Sequence, residues 1–87
     1  MNDLRIKNLI AEITGISHGD FDPINNPQDA WPIILENNIA IAPPVRNEKG
    51  WLAWTVVNEG VEVFKARNDN PLRAAMIVFL KKKNILD

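Results

Sequence analysis

The chain has 87 residues, 46% of them hydrophobic and 24% charged, with six prolines, one histidine and no cysteine. That balance fits one folded domain over residues 1–87 rather than a disordered chain, and a domain this small buries only roughly 60–65% of its extended surface. The lack of cysteine excludes disulfides, thiolate zinc sites and thiol catalysis, and a net charge of −1 argues against a strongly anionic partner.

Residues 3–14 predict a first helix. Leu4, Ile6, Leu9, Ile10 and Ile13 give an apolar stripe, Asp3 suits the N-cap, and Gly15 falls where a left-handed stop is wanted. A helix this short needs tertiary support, so packing against the domain is the simpler role and docking to a second chain the sharper one. Residues 15–25 read as a connector broken by Gly15, Gly19 and Pro23, with Phe21 and Ile24 as apolar anchors. Within it His18, Asp20 and Asp22 place an imidazole and two carboxylates at alternate positions, a set able to approach one divalent ion. No second ligand cluster accompanies them, so the reading is a solvated loop with no metal and no cofactor.

A second helix is predicted over residues 27–37, with Asn26 as N-cap and Pro27 in the first turn, where a missing amide removes no intrahelical bond. Pro32 interrupts it: either the helix kinks there, or one turn ends and another begins. Ala30, Trp31, Ile34 and Leu35 form the expected inward stripe, with Trp31 as core rather than a stacking platform, and Asn37-Asn38 as a left-handed stop.

Three strands follow. Ile39–Ala42 alternates large and small and ends at Pro43-Pro44, and a polar turn, Arg46–Gly50, leads into the strongest strand, Trp51–Val57. Asn58-Glu59-Gly60 reads as a hairpin turn into Val61–Ala66. On the middle strand either Trp51, Ala53, Thr55 and Val57, or Leu52, Trp54 and Val56, face the helices. Whichever set faces away is too apolar to be bare without a reason, and the first helix or a second subunit is expected to cover it.

Asn70-Pro71 repeats the Asn26-Pro27 signal and opens a last helix over residues 71–83. Leu72, Ala75, Met76, Phe79 and Leu80 form its stripe, while Ala74, Ile77 and Val78 fill the other side, so it is buried on more than one side. Arg73, Lys81, Lys82 and Lys83 are the candidates for anion or nucleic-acid contact, although three terminal lysines also suit the negative end of the helix dipole and a solvated last turn. Charge is uneven along the chain. Residues 1–38 hold six acids and two bases, and residues 39–87 five acids and eight bases.

The pattern gives an α+β fold, a three-stranded antiparallel meander packed by two or three helices in the order α-α-β-β-β-α. The segments FDPINNPQDAWPIILENNIAIAPP (residues 21–44) and DNPLRAAMIVFL (residues 69–80) resemble the NinX-like group of small bacteriophage and prophage proteins, most specifically in the ungapped run Pro71 to Ile77. The resemblance implies a phage origin and a layered α-β-α sandwich, and implies no catalytic residue. Surplus apolar surface on the middle strand and last helix points to a non-catalytic accessory module that binds a host or phage protein through that surface. A homodimer through the sheet or a helix surface is a further option. The order helix, three strands, helix also matches the double-stranded RNA-binding domain, but the acidic first half and the lack of a basic stripe weigh against nucleic acid. No enzyme is expected, because the paired carboxylates Asp20 and Asp22, and Glu59 and Glu62, fall in loops or turns without a nucleophile or a partner base. The start Met1-Asn2-Asp3-Leu4 lacks the basic and apolar run of a secretory signal, and the longest apolar run, Ala74 to Leu80, is far below the ~20 residues of a membrane span. The cytoplasm of a bacterial host is the expected location, with no membrane partner.

Overall fold

The computed structural model describes residues 2–16, 19–46, 48–57, 60 and 62–85. Helix α1 spans Asp3–Thr14, α2 Pro27–Glu36 and α3 Pro71–Lys82, while strands β1 (Ala40–Ala42), β2 (Trp51–Val57) and β3 (Glu62–Asn68) form one antiparallel sheet in the order β1-β2-β3. The α+β class and the order α-α-β-β-β-α are those expected. β3 runs two residues past the expected end at Ala66, and the hairpin residues Asn58 and Glu59, with Val61, lie outside the described residues.

Two of the helices use the same punctuation at both ends. The side chain of Asn26 accepts from the Gln28 amide at 3.0 Å, and that of Asn70 from the Leu72 and Arg73 amides at 2.9 and 3.2 Å, each with proline next in the chain. At the other ends Asn38 (φ 54°) and Asn84 (φ 62°) adopt the left-handed conformation. The Ile39 amide then reaches the Ile34 carbonyl at 3.0 Å, and the Ile85 amide the Leu80 carbonyl at 2.9 Å. Asparagine tolerates this conformation better than most residues, and the resulting six-to-one bond satisfies a carbonyl left over by the helix. α1 differs. Its cap is Asn2, not Asp3: the Asn2 side chain accepts from the Arg5 amide at 2.8 Å, and Asp3 occupies the first turn, where its charge suits the helix dipole.

α2 passes through Pro32 as one helix. Pro32 and Gln28 both face outward, so the carbonyl deprived of its donor is on the solvent side, where the loss is least damaging. The inward stripe is Ala30, Ile33 and Ile34, with Asn37 beyond them, which corrects the expected one. Trp31 is 53% and Leu35 59% exposed. The stripe is centred on small Ala30 and on a buried asparagine that caps the helix, and hydrophobicity alone gives weight to neither.

The layers run sheet, then α3, then α1 and α2 together. α3 packs against all three strands on one side and against α1 and α2 on the other. The helices are therefore stacked on one side of the sheet, and α1, expected as one way to cover the second side, lies on α3. Ala74, Ala75, Met76, Val78, Phe79 and Leu80 are buried from both directions. Phe21, Pro23 and Ile24 seal the same core from the connector, as anchors. Gly50 is needed where the chain enters β2: its φ is +81°, and an added Cβ would meet the Asn68 carbonyl oxygen at 3.0 Å.

Asn70 also ties the connector to α3, since its side-chain amide donates to the Ile24 carbonyl at 2.9 Å. Asn70→Ala should lower stability by about 2 kcal/mol, roughly half from the lost cap and half from the stranded carbonyl. Asn70→Asp should restore the cap portion alone, and denaturant unfolding of the three proteins will show whether the two parts separate. In the same connector, the Asn25 side-chain amide donates to the Asp22 carboxylate at 3.1 Å, and the Asn25 and Ile24 backbone amides at 3.3 Å. The Asn25 side chain first, then these backbone amides and the charge of Lys7, hold the Asp22 carboxyl below the usual carboxylate range, against partial burial that pushes it upward. A depressed folded pKa contributes stability above the unfolded pKa of about 3.9, and the contribution is lost as pH falls through the folded value. Unfolding midpoints measured from pH ~5 down to ~2 should therefore fall less steeply in Asp22→Asn than in the unaltered chain.

Candidate interaction face

Ala53 and Thr55 of β2 are buried against α3, so strand alternation turns Leu52, Trp54 and Val56 to the opposite face. This settles the two-way choice left by the sequence. Cross-strand partners share a face. The register places Ala42 and Arg67 beside Leu52, Ala40 and Lys65 beside Trp54, and Val63 beside Val56. Among the described residues no helix packs on this side. Val56 and Val63 are 49% and 54% exposed, and Leu52 and Trp54 are half-buried by their neighbours. The result is an apolar strip along the middle of the sheet with cations along one side.

Inside the sheet the polar chemistry is structural. The Thr55 hydroxyl is within hydrogen-bond distance of the Asn37 and Asn38 carbonyls, at 3.0 and 3.1 Å, joining β2 to the end of α2. The Asn37 side-chain amide donates to the Ile33 carbonyl at 2.8 Å. Buried hydroxyls and amides need such partners, and among the described residues no buried side-chain nitrogen or oxygen lacks one.

The candidate cations do not converge. Arg73 Nε donates to Asp3 Oδ1 at 2.8 Å, tying the start of α3 to α1. Lys81, about 12 Å further along α3, reaches the edge of the sheet and donates to the Lys65 carbonyl at 2.8 Å. Lys82 turns toward Asn37, with Nζ 3.4 Å from its carbonyl, and Lys83 lies over the Phe79 ring at 5.7 Å. The cations that do gather are Lys65, Arg67 and Lys81, around a hollow of about 390 Å³ lined also by Leu52 and Ala66. Lys65 and Arg67 were missed as a pair because the strand was expected to end at Ala66, and their place beside Trp54 and Leu52 depends on the β2–β3 register. Alternation of charge at Lys65 and Arg67, two residues apart in an otherwise apolar strand, is the signal that could have found it.

Where the C-terminal ends of the three helices meet, Ile13, Thr14, Ile33, Glu36, Asn37, Phe79 and Lys83 line a cleft of about 250 Å³. The Thr14 hydroxyl there donates to the Ile10 carbonyl at 2.7 Å, and the charged Glu36 and Lys83 are exposed. Among the described residues no three His, Asp or Glu side chains gather to hold a metal ion; His18, the proposed imidazole beside Asp20 and Asp22, lies outside those residues. No helix of the described residues is long and apolar enough to cross a membrane.

These features define a small α+β domain with a helical core and one uncovered sheet face. Residues 6–83 match the family model described as Bacteriophage P22, NinX, and the chain belongs to that family, as a phage accessory protein. No curated protein and no solved structure matches it.

Proposed function

We propose that this phage protein is a non-catalytic interaction module, and that it binds another protein through the open face of its sheet. The observation that carries the reading is the strip of Leu52, Trp54, Val56 and Val63 on a sheet whose other face alone is packed. Apolar surface of this kind, rimmed by Lys65 and Arg67, is what a protein interface core and its charged rim require. The aliphatic majority of the strip favours a protein partner over nucleic acid, whose recognition by an open sheet relies on several stacking aromatics. The polar groups of the helix-end cleft are held in caps or lie in solvent, which supports a binding role over a reaction.

Affinity capture from phage-infected cells, with the unaltered chain and Val56→Lys as baits, tests this. A protein, whether a different one or an untagged copy of this chain, retained by the first and lost at least tenfold with the second, is the expected result. Equal recovery by both baits, or recovery that disappears with nuclease, would contradict it.

A further inference from the structure

A second apolar surface lies on the opposite outer layer of the molecule. On α2, Trp31 and Leu35 are 53% and 59% exposed, and Gln28, Pro32 and Glu36 are exposed around them. Its charge is opposite to that of the sheet. α2 itself carries two acids, Asp29 and Glu36, and no lysine or arginine, and the nearest cations are Lys82 and Lys83 of α3 at its C-terminal end. On the sheet side, Lys65 and Arg67 flank the strip, Lys81 reaches its edge, and Arg46 and Lys49 are exposed in the loop that enters β2, with Glu48 paired to Arg67 at 2.9 Å. One surface is apolar and acidic, the other apolar and basic, and three layers separate them.

Resting on the reading that the open face binds protein, we propose that its occupant is α2 of a second copy of this chain. Trp31 and Leu35, four residues apart on one helix, present a ridge of the kind that lies into an apolar strip. Ala40 and Ala42, on the β1 side of Trp54 and Leu52, leave the strip low on that side. Lys65 and Arg67, on the other side, meet the acids of α2. Like surfaces would instead bring cation to cation or acid to acid, which disfavours a two-fold pair. The contact is therefore head-to-tail, and repeats into a ring or an open chain.

The test uses two exposed positions, Leu35→Lys on α2 and Val63→Lys on the sheet, so that folding is little disturbed. By light scattering behind size exclusion, the unaltered chain should show a mass that rises with concentration, and less so as salt is raised. Each variant alone should run as one chain, because its altered surface is needed at every contact. Mixed in equal amounts, they should form a one-to-one dimer, joined by the intact α2 of Val63→Lys and the intact sheet of Leu35→Lys. An unaltered chain that stays monomeric at hundreds of micromolar, or a Leu35→Lys variant that associates as the unaltered chain does, would overturn the proposal. Variants that are monomeric alone and fail to combine would do the same. A monomeric chain whose captured partner is still lost in Val56→Lys would overturn this inference and leave the proposed function standing.

Discussion

A helix apolar nearly all round has to be enclosed from two directions, and α3, charged only at Arg73 and its last turn, imposes that condition on the rest of the chain. Met76, Val78, Phe79 and Leu80 each contribute roughly 1.5–3 kcal/mol when fully buried, so together they supply on the order of 8 kcal/mol, comparable to the whole net stability of an ordinary domain. The sheet covers one side of this helix, and α1 with α2 covers the other. Among the described residues no helix is left to cover the outer face of the sheet. The uncovered outer face of the sheet follows from placing the most buried helix at the centre.

The same condition explains where the polar groups went. Asn26, Asn38, Asn70 and Asn84 end helices rather than form a site, Thr55 fastens β2 to the end of α2, and Arg73 joins α3 to Asp3. Outside these contacts lie two exposed apolar patches: the strip of the sheet with Lys65 and Arg67 along one side, and the ridge of Trp31 and Leu35 on α2. Binding through those two apolar patches is the role proposed for this phage accessory protein.

Much of the fold was legible because its signals are local. Asn-Pro starts, the stop at Gly15 and the β-rich run Trp51–Val57 each depend on a few neighbouring residues, and all appear where expected. The errors were of a different kind. Trp31 and Leu35 look like core because they are large, but the packed side of α2 holds the small Ala30 with Ile33 and Ile34, and Asn37, which caps. The layer order was equally hidden. That α1 lies on α3 and not on the sheet depends on contacts between segments about 70 residues apart, which periodicity does not encode. The interaction face needed the strand register as well, since Lys65 comes beside Trp54 only through the β2–β3 pairing.

Native-state amide hydrogen exchange along α3 tests the central role of this helix most directly. If α3 is the enclosed middle layer, the amides of Ala75 to Leu80 will be the slowest in the chain and will exchange only with global unfolding. Exchange of those amides ahead of the amides in α1 or the strands would contradict it.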